Sequence, residues 1–156
     1  MLFRSDLGVK IDRIVVASSS GGTQAGLVVG RALAEVDFPI LGVDVDGEPD
    51  ELLAMVQSVA RDCAEKIKLR RDLPDSAFDL VRGYAAPGYG MPNPKMIEAV
   101  RLIARLEGTL LDPVYSGKAM AGLIGMIRQG GFGRDEAVVF IHTGGMPALF
   151  AYADLF

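Results

Sequence analysis

The chain has 156 residues, 50% of them hydrophobic, with a net charge of -4 and a single cysteine. That length and composition support one domain with a real core and exclude a disordered chain. The acidic balance argues against a polyanionic partner such as nucleic acid, whose binding draws on clustered Lys and Arg; Arg70-Arg71 is the nearest such cluster and reads as the solvated end of an amphipathic helix.

No apolar stretch reaches the roughly 20 residues of a membrane span, and Met1-Leu-Phe-Arg-Ser5 lacks the basic region and long apolar core of a signal peptide. A cytoplasmic protein with no membrane partner is expected. Cys63 alone permits neither an internal disulfide nor a cysteine-based metal cluster, so no metal site is expected. The mean hydropathy of +0.30 is high for an isolated domain and points to apolar surface meant for another chain or segment.

The first element is a buried strand, Ile14 to Ala17, followed by Ser18-Ser-Ser-Gly-Gly-Thr23 and a helix from about Thr23 to Val36. Phe38 to Val43 reads as a second short strand, completing a strand-helix-strand unit. Gly22, Gly26 and Gly30 recur every four residues along one face of the helix, which predicts a close approach of that face to the sheet. From Glu48 to about Lys68, apolar residues at helical spacing predict an amphipathic helix with Cys63 on its apolar side as a small buried hydrophobe. Arg71 to Phe78 is a polar connection, and Asp79 to Tyr84 reads as a short edge strand.

A second loop, Ala86-Pro-Gly-Tyr-Gly-Met-Pro-Asn-Pro94, excludes regular structure until Lys95; Met96 to Leu106 is then an amphipathic helix stopped by Gly108. Asp112-Pro-Val-Tyr-Ser-Gly117 is a third loop, Lys118 to Arg128 a further helix, and Ala137 to Ile141 the last buried strand. His142-Thr-Gly-Gly145 leads into a short apolar helix ending at Phe156. Alternating buried strands and helices predict an α/β chain with an open, largely parallel sheet covered by helices. Ligands of such sheets bind beyond the carboxyl ends of the strands, where the loops after Ala17 and Ile141 both lie.

The glycine-rich turn at Ser18 to Thr23 gathers backbone N-H groups at the positive end of a helix, a place for a phosphate that needs no arginine or lysine. Nucleotide motifs are absent: there is no G-x-x-x-x-G-K-[ST] and no G-x-G-x-x-G opening a helix. A hydrolytic nucleophile among Ser18 to Ser20 with His142 as base lacks both the G-x-S-x-G elbow and an orienting carboxylate. His142 instead reads as a packed, hydrogen-bonded residue. Tyr89 and Tyr115 sit on glycine-flanked loops, open to both a packing and a functional reading.

Taken in order, Ser-Gly-Gly-Thr-Gln-Ala-Gly-Leu, Gly-Tyr-Ala-Ala-Pro-Gly-Tyr-Gly, Leu-Leu-Asp-Pro-Val-Tyr-Ser-Gly-Lys-Ala-Met-Ala-Gly-Leu and Ile-His-Thr-Gly-Gly resemble the D-cysteine desulfhydrase and 1-aminocyclopropane-1-carboxylate deaminase family. The resemblance runs from about Gly8 onward, leaving residues 1–7 unassigned. It implies a pyridoxal 5'-phosphate cofactor and a tryptophan-synthase-β-like, fold type II large domain. It further implies that Ser20, Gly21, Gly22 and Thr23 hold the cofactor phosphate and that Tyr89 and Tyr115 act on an amino-acid substrate. Ser116 stands where the deaminase branch has a glutamate, near the pyridine nitrogen, and Thr143 where it typically has leucine. A hydroxyl in place of the carboxylate implies a weaker electron sink. Both departures point to β-elimination from D-cysteine, giving pyruvate, sulfide and ammonia, with L-cysteate sulfo-lyase or 1-aminocyclopropane-1-carboxylate deaminase activity as alternatives.

The resemblance also implies a lysine that carries the cofactor, located in the half preceding the phosphate loop. Of Lys10, Lys66, Lys68, Lys95 and Lys118, none stands in that position, and Lys118 reads as a surface or hydrogen-bonding residue at a helix start. Residues 8–156 are therefore expected to correspond to the C-terminal part of such an enzyme, catalytically incompetent alone. Self-association or pairing with an N-terminal half is expected. The reading of another class is a non-catalytic module that binds a phosphate ligand or a subunit.

Overall fold

The computed structural model describes Gly8 and residues 10–156; the unassigned segment 1–7 lies outside the described residues. Four strands form one sheet in the order β3-β2-β1-β4, with β1 at Arg13–Ser18, β2 at Ile40–Asp44, β3 at Asp79–Val81 and β4 at Val138–Ile141. All three pairings are parallel, so the predicted parallel α/β sheet is what the chain builds. The β-branched run Ile14-Val-Val explains why β1 is central. Its side chains alternate between faces, Ile14 and Val16 into one core and Val15 into the other.

Helices cover both faces. Helix α1 (Gly22–Leu33) and helix α2 (Pro49–Lys66) bury Ala25, Val28, Val29, Leu52, Val56 and Ala60 against Ile14, Val16 and Ile40. On the other face, α3 (Pro94–Glu107) and α4 (Ser116–Arg128) bury Met96, Val100, Ala119 and Leu123 against Val15, Leu41 and Val43. Cys63 packs beside the first cluster, on the predicted apolar side, but is half-buried rather than buried. Among the described residues no helix is long and apolar enough to cross a membrane.

Local chemistry sets the element boundaries. Helix α3 begins at Pro94, two residues earlier than predicted, because proline suits the first turn and Asn93 caps it by accepting from the Met96 N-H at 2.8 Å. Gly108, in the left-handed region at φ 64°, ends that helix. Strand β3 is only three residues, shorter than the predicted Asp79 to Tyr84.

Two expectations are corrected. Gly22, Gly26 and Gly30 share a face, but it points outward: a Cβ at any of them would meet nothing within 4 Å. The sheet is approached instead by Gln24, Ala25, Val28, Val29 and Ala32, whose larger apolar area wins the buried side. The close contact with the strand is made from the other partner, where a Cβ on Gly42 would stand 2.0 Å from Gln24 Oε1. The predicted C-terminal helix is a run of 3-10 turns, Met146–Leu155, broken at Tyr152 and burying none of its residues. With no apolar stripe of helical period to dock, it lies over the surface, tied by Tyr152 Oη donating to the Gly90 carbonyl at 2.6 Å.

Register brings the carboxyl ends of the strands to one edge. Ser18 pairs with Asp44 at the end of β1 and β2, and Val16 pairs with Ile141 at the end of β4. The loops that follow are therefore neighbours in space.

Candidate active site

The loop after β1 turns into α1 through Gly21, which has φ 76°. Only glycine takes that conformation without strain, and a Cβ there would stand 3.0 Å from Val56 Cγ2 and 3.2 Å from Val56 Cα. The first intrahelical bond is Ala25 N-H to the Gly21 carbonyl, leaving the N-H groups of Gly22, Thr23 and Gln24 without intrahelical acceptors. No side chain caps this end and no acidic residue lies in its first turn. It presents donors and positive dipole to whatever sits before it, and Ser19, Ser20, Gly21, Gly22 and Thr23 form one wall of a cavity of about 290 Å³.

The start of α4, by contrast, is already filled. Asp112, fully buried, accepts from the N-H groups of Val114 at 2.8 Å, Tyr115 at 2.6 Å and Ser116 at 2.8 Å, and from Ser116 Oγ at 2.6 Å. A carboxylate held by three N-H groups satisfies the helix end and fixes Tyr115 as its cap residue. Tyr115 lines the same cavity as the α1 loop, and so do Thr143, Gly144 and Gly145 from the turn after β4. Gly145 (φ 86°) rests on Asp112, where a Cβ would stand 2.9 Å from Asp112 Cγ, so Asp112 shapes two of the cavity's walls.

Tyr89 joins through a hydrogen bond between its hydroxyl and that of Tyr115, the rings meeting edge-on at 5.7 Å between centroids. The Tyr89 hydroxyl bond, burial, and the negative charges of Asp112 and Asp46 push the Tyr115 phenol up to about 12. Ser19 Oγ donates to Asp46 Oδ2 at 3.3 Å, tying the α1 loop to the loop after β2.

The family described as "Pyridoxal-phosphate dependent enzyme" matches residues 2–144. The chain belongs to that family. This member of the pyridoxal-phosphate-dependent enzymes is 44% identical over 152 residues to a 1-aminocyclopropane-1-carboxylate deaminase of Burkholderia vietnamiensis (strain G4 / LMG 22486), covering 97% of this chain and 45% of that protein. It is 43% identical to the protein of the same name from Variovorax paradoxus (strain S110), with the same coverage. A crystal structure described as an ACC deaminase homologue matches with a TM-score of 0.84 at 34% identity, over 94% of this chain and 43% of that one. The chain thus spans less than half the length of these relatives. The family uses pyridoxal phosphate, and the sheet is part of its fold type II large domain.

The described residues fit the phosphate end of that cofactor. The open N-terminus of α1 offers neutral N-H donors, and the Gly21 turn that presents them leaves no room for a side chain, since a Cβ there would press on Val56. Of the residues named from sequence, Ser20, Gly21, Gly22, Thr23, Tyr115 and Thr143 line one cavity, and Tyr89 adjoins it through Tyr115. Ser116 does not line it: its hydroxyl is buried and spent on Asp112. The serine-histidine pairing is not assembled either. His142 Nε2 bonds to the Leu110 carbonyl at 2.9 Å, Nδ1 accepts from Gly144 N-H at 3.1 Å, and the ring is exposed rather than packed. Ser19, Gly144 and Gly145 also line the cavity and Asp112 supports it, though the sequence does not single them out as site residues; the Asp-Pro pair at 112–113 signals a turn but not the burial of its carboxylate. Of the two readings of Lys118, surface or hydrogen-bonding residue at a helix start, the second holds: it is fully buried and donates to main-chain carbonyls.

Proposed function

We propose that this chain forms the phosphate-holding, tyrosine-bearing part of a pyridoxal-phosphate-dependent deaminase that acts on 1-aminocyclopropane-1-carboxylate. One observation carries the reading: an uncapped helix N-terminus, Tyr115 and the Thr143–Gly145 turn converge on a single cavity. The deaminase name shared by the relatives favours this substrate over D-cysteine.

Bound pyridoxal phosphate supplies an electron sink for bonds at the substrate's Cα. The N-H groups of Gly22 and Thr23 would hold its phosphate, with Ser20 lining the same cavity. Tyr115, with its pKa pushed up to about 12, keeps its proton at neutral pH, and its bond to the Tyr89 hydroxyl fixes the position of its Oη beside the cavity. Thr143 and Gly144 close the cavity on the far side. Among the described residues no lysine lines the cavity, which supports the view that the chain alone binds the cofactor without turnover.

A second reading, β-elimination from D-cysteine, draws support from Thr143, which lines the cavity where the deaminase branch typically has leucine; Ser116, where that branch has glutamate, turns its hydroxyl to Asp112 instead. The test has two stages. Equilibrium dialysis should show pyridoxal 5'-phosphate binding and pyridoxal failing to bind, with borohydride reduction giving no stoichiometric lysine adduct. The chain is then joined to the complementary portion of the Burkholderia vietnamiensis relative and assayed with 1-aminocyclopropane-1-carboxylate, D-cysteine and L-cysteate. Ammonia from the first substrate supports the deaminase reading. Sulfide and pyruvate from D-cysteine alone would replace it with the second.

A further inference from the structure

Lys118 is a charged residue placed where the core leaves it no water. It is fully buried, in the first turn of α4, three residues after Tyr115. Its Nζ donates to the carbonyls of Gly88 at 2.6 Å and Ala85 at 2.7 Å, with the Val45 carbonyl at 3.5 Å. Burial lowers its pKa, and Asp44 and Asp46 oppose that shift. An ammonium group has three donors and no acceptor, so three main-chain carbonyls satisfy it without a partner carboxylate.

The two carbonyls it grips most closely belong to the loop that carries Tyr89. That loop has little of its own to hold it: Tyr89 is 51% exposed, and its internal bonds are Gly88 N-H to the Ala85 carbonyl and Met91 N-H to the Gly88 carbonyl. Its remaining ties come from side chains, Asn93 donating to the Tyr84 and Ala86 carbonyls and Tyr152 to that of Gly90. The base of α4 is rigid by comparison, since a Cβ on Gly117 would stand 2.6 Å from the Asp112 carbonyl oxygen and 2.8 Å from Val100 Cγ2. One short stretch of helix therefore holds Tyr115 at its cap and, through Lys118, the loop bearing Tyr89.

We infer that Lys118 is a positioning residue, whose buried ammonium fixes the residue 85–90 loop and so keeps the Tyr89 hydroxyl on that of Tyr115. The importance of this for catalysis rests on the reading of the tyrosine pair as part of the active site; the anchoring itself does not.

The test uses the 156-residue protein with Lys118→Met, which keeps the stem and removes the donors, and Lys118→Gln, whose shorter side chain retains an amide donor, should the first variant not fold. Hydrogen exchange in the peptide spanning residues 84–92 should rise roughly ten-fold, while peptides in β1 and α4 keep their wild-type rates. A second readout is phenolate absorbance, which is clean because the chain has no tryptophan. At about pH 11, where Lys118 with its lowered pKa is a neutral amine that still keeps two N-H donors for the Ala85 and Gly88 carbonyls, the variant should show up to one more phenolate than wild type, absent when Tyr115→Phe is added, as Tyr115 returns toward its ordinary range.

Unchanged loop exchange would mean that Asn93 and Tyr152 suffice, and would overturn the inference. So would equal acceleration across the sheet and helices, the mark of a merely structural lysine, or a Tyr115 titration that does not move. Neither readout involves the cofactor, so failure of pyridoxal phosphate to bind would refute the proposed function while leaving this result intact.

Discussion

The hydroxyls of Tyr89 and Tyr115, 26 residues apart in the chain, hydrogen-bond to each other at the mouth of the cavity, and this bond is the largest cause of the raised Tyr115 pKa. Replacing Tyr89 with Phe removes the bond and the second hydroxyl together. Tyr115 should then titrate closer to 10 than to its value of about 12, as followed by phenolate absorbance. The linkage has a definite sign. A folded-state pKa above the unfolded one gives stabilisation that is complete below pH 10 and is lost as pH rises toward 12. Denaturation of wild type should therefore grow easier across that interval, and more so than in Tyr89→Phe.

Gly21 is the residue on which the phosphate cradle turns. Alanine there must adopt a left-handed backbone and push into Val56, at a cost of roughly 2–4 kcal/mol from the two effects together. Gly22→Ala adds a Cβ where nothing lies within 4 Å, so it should stay within about 0.5 kcal/mol of wild type. Urea denaturation of the two variants compares them directly. Equal effects would mean that the turn is not held as the structure shows.

Much of the frame was legible before any coordinates. The β-branched run at 14–16 and the glycine-rich turn after it specify a buried strand feeding a helix, and those features act locally. What escaped was direction. The four-residue glycine period puts Gly22, Gly26 and Gly30 on one face but does not say which way the face points; that depends on the competing area of Val28 and Val29. The same holds for Lys118, which reads equally as a surface or a hydrogen-bonding residue at a helix start until the loop carrying Tyr89 folds over it. Ser116 shows a third form of the problem. Its position after Tyr115 suggests a hydroxyl facing the ligand, but Asp112 four residues earlier claims it. The 3-10 tail, finally, is apolar in composition without a repeating buried stripe, and composition alone reads as helix.

Asp112 should be the most costly polar residue to remove. Asp112→Ala strands three N-H groups at the start of α4 and the buried Ser116 hydroxyl, which predicts a loss of roughly 2–4 kcal/mol. Asp112→Asn keeps an oxygen acceptor but gives up the charge facing the helix end, so an intermediate loss is expected. Thermal or urea denaturation ranks the three proteins. A wild-type stability in Asp112→Ala would show that water replaces the carboxylate without penalty, contrary to its full burial.

The contact between Gly42 and Gln24 provides an internal control for the orientation of α1. A methyl group on Gly42 would collide with the Gln24 carboxamide, which is itself fully buried and donates to the Asp79 carbonyl at 2.8 Å. Gly42→Ala should therefore cost about 1–3 kcal/mol, and adding Gln24→Ala should recover part of it, because the clash is removed although the bond to Asp79 is lost. Gly26→Ala and Gly30→Ala, on the outward face, should instead raise stability by about 0.5–1 kcal/mol each, the usual gain from replacing glycine inside a helix. The two sets of variants oppose each other by design. If α1 were turned so that its glycine stripe met the sheet, alanine at 26 and 30 would destabilise the protein and alanine at 42 would be tolerated.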